Sequence, residues 1–232
     1  SNSSSVDENG FAKIFDGETL DGWKGDPIYW RAEGGSLVGE ITPETVLDRN
    51  TFIIWQGGQP ADFELKLEFR VSSLGNSGIN YRSDVMTDHP YALTGYQSDI
   101  DGRNRYTGQN YEERGRTTLA YRGQKTVLSP LDSPLGPDGI KPFIISNAWT
   151  KAVVTEQLGD KDELGTHVKK EDWNSMHIIA QGSHLQHFVN GVLMSDVTDN
   201  DSINGRASGH IGVQVHVGPP MKIEYRNILL KQ

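Results

Sequence analysis

In the stretch Asp62-Phe63-Glu64-Leu65-Lys66-Leu67-Glu68-Phe69-Arg70, four large apolar residues alternate with charged ones. A period of two belongs to a strand with one face in a core and the other in water. The pattern returns near the C-terminus, where Ile211, Val213, Val215 and Val217 alternate with His210, Gly212, Gln214 and His216, and Ile223, Tyr225 and Ile228 punctuate the last segment. Further candidate strands lie at 78–82, 95–101, 151–155, 174–181 and 184–190. Gly182-Ser183 joins the last two as a two-residue hairpin turn, and Asn190-Gly191 marks another tight turn. No stretch holds a helical period for three or four turns. Many short strands with Gly-rich turns predict an all-β fold, a sandwich or jelly roll rather than a doubly wound sheet.

The chain has 232 residues, no cysteine and 26 glycines, and its 22 Lys and Arg against 31 Asp and Glu give a net charge of −9. This length can bury a sizeable core without a disulfide or metal staple. Disulfides and Cys-ligated metal sites are excluded outright. An acidic chain with no basic run repels a phosphate backbone, so no nucleic-acid partner is expected. No apolar stretch reaches the roughly 18 to 20 residues of a transmembrane segment. Residues 1–10 are too polar to contribute core and read as a disordered tether. Residues 11–232 read as one domain, because the Pro- and Gly-rich loop at 129–141 interrupts the strands without a shift in composition. The Ser-rich start suits the mature form of an exported protein, periplasmic or lipid-anchored at the cell envelope, whose targeting segment has been removed.

In a two-sheet sandwich, the polar residues that alternate with core residues are where chemistry is found. Gln97, Asp99 and Asp101 share one strand face, with Tyr96, Ser98 and Ile100 on the other. Like charges in a row on one face cost stability unless a ligand or partner offsets them. Asn80 and Arg82 share a face, and the arginine can neutralise Asp99 or Asp101 or bind an oxygen through its planar fork. Gln214 and His216 lie opposite the valines of their strand, and a histidine there can serve as acid, base or ligand near neutral pH. Periodicity places His187 with the apolar set of its strand. Residues 106–116 are dense in polar groups and include Tyr106, Tyr111, Glu112, Glu113 and Arg116, a composition suited to a binding loop. Aromatic rings stack on the apolar face of a sugar, so Trp55, Tyr106 and Tyr111 are candidate platforms, whereas Trp23 and Trp30 read as core. The chain has no phosphate loop, dinucleotide fingerprint, His-Glu-x-x-His or Gly-x-Ser-x-Gly.

Four motifs then stand in a familiar order: Ile14-Phe15-Asp16-Gly17-Glu18-Thr19-Leu20-Asp21-Gly22-Trp23, Asn76-Ser77-Gly78-Ile79-Asn80-Tyr81-Arg82, Trp173-Asn174 leading to Val189-Asn190-Gly191, and Gly209-His210-Ile211-Gly212-Val213-Gln214. In this order the chain resembles the 3-keto-disaccharide hydrolase domain family from Phe11 to Lys231. The resemblance implies a concanavalin A-like, lectin/glucanase-type jelly roll of two antiparallel sheets. It implies a carbohydrate substrate, a 3-keto-glycoside made by a separate sugar 3-dehydrogenase, and cleavage by hydrolysis or by β-elimination followed by hydration. It also implies a divalent metal ion in some members, for which Asp99, Asp101 and His216 are the candidate ligands.

A ketone at C3 acidifies the hydrogen on C2, so the site needs a base, a partner for the enolate oxygen and an acid for the leaving group. Asp99, Asp101, Glu113 and His216 are the candidate bases, and Arg82 or a bound cation is the candidate for the enolate oxygen. Tyr111 or His187 is the candidate acid. Asn80, Gln97, Trp55, Tyr106, Glu112, Arg116 and Gln214 complete the expected substrate contacts. One departure stands out: many relatives carry Glu where Gln97 stands and Gln where Asp99 stands, which displaces the acidic group by one same-face position. Two other functions remain open, a conventional two-carboxylate glycosidase and a non-catalytic carbohydrate-binding module.

Overall fold

Phe63, Leu65, Leu67 and Phe69 all point into the core of the computed structural model, each at most 4% exposed, while Glu64, Lys66, Glu68 and Arg70 face outward. The structure describes residues 5–131, 141–146 and 151–232; positions 1–4 of the expected tether and 132–140 of the expected Pro-rich loop lie outside the described residues. In chain order the strands are β1 (Ala12–Lys13), β2 (Trp23–Lys24), β3 (Trp30–Glu33), β4 (Ser36–Ile41), β5 (Thr51–Trp55), β6 (Phe63–Val71), β7 (Asn76–Val85), β8 (Leu93–Asp101), β9 (Asn110–Glu113), β10 (Thr117–Ala120), β11 (Gln124–Leu128), β12 (Ala152–Gln157), β13 (Asn174–Gln181), β14 (His184–Val189), β15 (Val192–Asp199), β16 (His210–Val215) and β17 (Met221–Lys231). Two short helices, α1 (Lys141–Ser146) and α2 (Lys161–Gly165), accompany them.

These strands form the two sheets of a jelly-roll sandwich, as the alternation predicts. One runs β12-β11-β15-β14-β13-β6-β17-β4-β3 with β1 attached to β17, and the other runs β10-β9-β8-β7-β16-β5-β2. Pairing is antiparallel except between β11 and β15. The Gly182-Ser183 turn joins β13 to β14, and Asn190 and Gly191 both take positive φ, 49° and 77°, to join β14 to β15. Side chains from both sheets meet in one core, among them Leu65, Ile79, Tyr96, Ile178, Val213 and Ile223. Burying each such aliphatic side chain contributes roughly 1.5–3 kcal/mol.

β5 breaks the alternation, since all five residues of Thr51-Phe52-Ile53-Ile54-Trp55 are buried. Ile53 and Trp55 join the core, while Phe52 and Ile54 pack with Leu93 on the other face of the second sheet. The backbone N–H of Phe52 donates to Tyr91 O, which holds the preceding loop across that face. The rest of the face is polar, and there the candidate site residues gather.

Candidate active site

Register on the second sheet decides which polar residues meet. Gly78 lies opposite Asp99 and Asn80 opposite Gln97 across β7 and β8; Gln97 lies opposite Tyr111 across β8 and β9. On the other side of β7, Gly212 lies opposite Asn80, which puts Gln214 and His216 on the same face. A period of two therefore collects Gln97, Asp99, Tyr111, Glu113, Gln214 and His216 from three strands, while Tyr96, Ile100 and Glu112 turn inward. Gly78 has a particular role: a Cβ there would lie 2.5 Å from the Gln97 carboxamide carbon. The missing side chain leaves Gln97 room to lie over β7 and reach Asp99.

A cavity of about 510 Å³ opens on this face, lined by Gln97, Asp99, Tyr106, Gln109, Tyr111, Glu113 and His216, with Asn50, Asn76, the exposed Arg105, Tyr121 and Lys161, and the buried Arg122 completing the lining. Gln97 Nε2 donates to Asp99 Oδ1 and Gln109 Nε2 to Asp99 Oδ2, both at 2.6 Å. Burial pushes the Asp99 carboxyl up to about 7, against the two amide donors that favour its charged form, and the nearby Glu113 and Asp101 carboxylates raise it further. Glu113 is also raised, chiefly by burial, although Asn50 Nδ2 donates to its Oε1 at 3.3 Å and His216 lies close enough to act on it. Burial raises the Tyr111 hydroxyl to about 12 and the Tyr106 hydroxyl further, so both keep their protons at neutral pH. Tyr106 Oη accepts from Asn76 Nδ2 at 2.8 Å, which leaves its own proton free to donate. His216 Nδ1 lies 2.6 Å from Val217 O; that contact fixes the proton on Nδ1 and leaves the Nε2 lone pair available. Asn50 Oδ1 accepts from Val217 N, so one asparagine positions both Glu113 and the His216 turn.

The remaining sequence candidates lie elsewhere. Arg82 shares a face with Asn80 only if the alternation continues, but β7 bulges between Tyr81 and Asp84 and Arg82 takes φ 45°. Its buried guanidinium donates to Ala61 O, Gly182 O and Arg206 O and pairs with Asp62 at 3.2 Å. The expected role on an enolate oxygen is therefore corrected: Arg82 ties three loops together outside the cavity. Asp101 is held by its own loop, its carboxylate accepting from Arg105 N, Tyr106 N and Thr107 Oγ1. Glu112 and Arg116 are partners in a buried ion cluster with Asp199 and Asp201. His187 is a core histidine hydrogen-bonded to Tyr81 Oη at 2.7 Å, with burial depressing it to about 4. Trp55 packs beneath Gly57 and lines a separate groove with Phe15, Asp16 and Asp21. Asn80 and Gln214 are fully buried beneath the cavity; Gln214 donates to Gln97 Oε1 at 3.4 Å, and Asn80 has neither amide atom partnered.

Asp99, Asp101 and His216 are not brought together as one ligand set, and the Asp101 carboxylate is engaged by two backbone amides and Thr107. Among the described residues, no three His, Asp or Glu side chains are grouped to hold a metal ion. Conversely, Asn50, Asn76, Arg105, Gln109, Tyr121, Arg122 and Lys161 line the cavity without having been singled out from the sequence. Gln109 and Arg105 fall in or beside the polar 106–116 stretch, which was the available signal. The others sit at strand ends, in loops and, for Lys161, at the start of the one-turn α2, where no period applies.

Residues 10–231 match the family described as the 3-keto-alpha-glucoside-1,2-lyase-like domain. A curated relative, the 3-keto-disaccharide hydrolase of Bacteroides thetaiotaomicron, is 26% identical over 196 residues, covering 74% of this chain and 63% of the relative. The chain thus matches under two thirds of that protein's length. Among solved structures, a “putative glycosyl hydrolase” from Parabacteroides distasonis aligns with TM-score 0.58 and 18% identity over 96% of this chain and 94% of its own. A carbohydrate binding module of Bacillus subtilis aligns with TM-score 0.54 and 14% identity over 91% and 96%. At these identities the structural likeness carries the fold alone. Among the described residues, no helix is long and apolar enough to cross a membrane.

Proposed function

The chain belongs to the 3-keto-alpha-glucoside-1,2-lyase-like domain family, and from that premise we propose that it cleaves the glycosidic bond of 3-keto-glycosides by β-elimination followed by hydration. The observation that carries the reading is Asp99, a buried carboxyl raised to about 7 and held by two amide donors on the floor of the cavity. A general base works best when its pKa lies near the operating pH, and proton transfer of this kind is worth about 10²–10⁴ in rate.

Asp99 takes the proton from C2, and the electrons of the C2–H bond form the C2–C3 double bond of an enolate whose charge sits on the C3 oxygen. Tyr106, its hydroxyl oriented by Asn76, donates to that oxygen. The enolate then collapses: the C3 carbonyl reforms, a C1–C2 double bond appears, and the C1–O bond to the aglycone breaks. Glu113, whose carboxyl burial raises above its ordinary value, supplies the proton to the departing oxygen. Water then adds across C1–C2 with the same groups acting in reverse: Glu113 takes the water's proton as the water oxygen bonds to C1, and Asp99 returns its proton to C2. Such a substrate is the product of an oxidation at C3 of a sugar, the reaction of a separate 3-dehydrogenase.

The test is incubation with a disaccharide and with its 3-keto derivative. Cleavage of the keto sugar alone, with an unsaturated intermediate detectable before hydration, is the expected result. Cleavage of the unmodified sugar would replace this reading with a conventional glycosidase, and binding without cleavage would replace it with a carbohydrate-binding module.

A further inference from the structure

Three arginines of this protein are buried, Arg82, Arg116 and Arg122, and among the described residues only the first two form ion pairs with carboxylates. Arg116, 1% exposed, meets Glu112 and Asp199 at 2.6 Å and Asp201 at 3.3 Å. Arg122, 4% exposed, has neutral partners only: Nη1 donates to Asn104 Oδ1 at 2.8 Å and Nη2 to Asn104 O at 3.0 Å, with Thr107 O a further 3.5 Å contact, and Nε is unpartnered. Asp101 and Asp162 act on it from a distance, and burial lowers its pKa below that of an ordinary arginine. With no carboxylate in direct ion-pair contact, the buried guanidinium retains the capacity to take a counter-charge brought by a ligand.

Arg122 is fixed as well as unpaired. Gly165 of α2 packs against it, and a Cβ at that position would lie 2.7 Å from Nη2. It lines the catalytic cavity together with Arg105 and Lys161, both exposed. Neither of these two forms an ion pair with a carboxylate among the described residues. Arg105, Arg122 and Lys161 line the same cavity as Asp99 and Glu113.

Resting on the reading of this cavity as a 3-keto-glycoside site, we infer that the aglycone it takes carries a carboxylate, as a uronic acid does, and that Arg105, Arg122 and Lys161 recognise it. The planar guanidinium of Arg105 matches a carboxylate in two parallel bonds, Lys161 adds a mobile point charge, and Arg122 supplies a fixed positive potential behind them. The acidic floor does the chemistry at the keto sugar while the basic side chains select what is attached to it.

The experiment compares kcat/KM for a 3-keto-glucosyl-glucuronate with that for the neutral 3-keto-glucosyl-glucose, at low and raised salt. The expected result is a preference of about tenfold for the uronate at low salt, shrinking as salt is added. It should fall close to unity in the double variant Arg105→Met, Lys161→Met, whose sites are exposed and whose fold is not at risk. A ratio near one in the unmodified protein, or a preference that survives both the substitutions and the salt, overturns the inference. If neither keto sugar is cleaved, the proposed reaction fails separately. Equilibrium binding of the unoxidised glucosyl-glucuronate against the neutral disaccharide then decides: tighter binding of the uronate, lost in the double variant, supports it, and equal or undetectable binding of the two overturns it.

Discussion

At the scale of single residues, opposed influences set the state of Asp99. Burial drives the carboxyl towards neutrality, while Gln97 and Gln109 each donate an amide N–H to its charged form. Replacing Asp99 with Asn removes the base and should lower kcat by about 10²–10⁴. In the unmodified protein the acidic limb of the rate profile should fall with an apparent pKa near 7, because only the ionised carboxylate accepts the C2 proton. Gln109→Leu takes away a donor to the charged form, which moves the limb to higher pH. A limb that stays in place in the Leu variant, measured by kcat/KM against pH, would remove Asp99 from the role. The pairing of Gln97 with Asp99 also bears on the sequence departure noted above, since acid and amide occupy neighbouring same-face positions and remain in contact.

At the scale of elements, strand parity explains what could be read from the sequence and what could not. Glu112 and Glu113 are adjacent in the chain, yet one enters the core cluster beside Tyr96 and the other enters the cavity. Alternation separates the two faces, and pairing with β8 decides which face is which. Gln97 and Asp99 were legible on the same ground. Arg82 was misread because a bulge resets the face after Tyr81, and nothing in the local sequence announces it. Arg122 and Asn50 reach the cavity through long-range packing, which no local pattern encodes. Two predictions belong here. Gly78→Ala should leave the fold intact but push Gln97 off Asp99, lowering kcat/KM and raising the apparent pKa of its acidic limb. Arg82→Met should do the opposite. It removes the donor to three part-buried loop carbonyls and lowers stability by about 1–3 kcal/mol in urea unfolding, while the kcat of the folded fraction stays within a fewfold of the original.

At the scale of the whole molecule, the two sheets are locked together near one end by charge. Arg116, from the β9–β10 turn of the second sheet, reaches Asp199 at the end of β15 and Asp201 just beyond it, and Tyr96 Oη donates to Asp199 at 2.5 Å. Replacing Arg116 with Met leaves Asp199 and Asp201 without their cation and Glu112 with Arg206 alone at 3.6 Å, at a cost of about 3–5 kcal/mol. A urea midpoint unchanged by that substitution would show that the network does not hold the sheets together.

The same molecule carries two carboxyls whose effects on stability run in opposite directions with pH. Asp201 is pushed up by burial, but Asn204, the backbone N–H groups of Asn204 and Ile203 and the charge of Arg116 outweigh this and leave it below 3.8. A depressed folded-state pKa contributes stability above the unfolded value and loses it as pH falls through the folded one, so Asp201 weakens the fold only in acid. Asp99 behaves in reverse. Raised from 3.8 to about 7, it keeps its proton in the folded state where the unfolded chain has released it, so stability falls as pH rises from about 4 to about 7. The carboxyl proposed as the base therefore destabilises the neutral protein, the trade expected of a working site. Asp99→Asn removes that slope. Between pH 4 and pH 8, the unfolding free energy of the variant relative to the original should shift in the variant's favour by a few kcal/mol. Urea titrations of both proteins at the two pH values measure the shift directly, and a difference that does not change with pH would mean that Asp99 is ionised in the folded protein throughout.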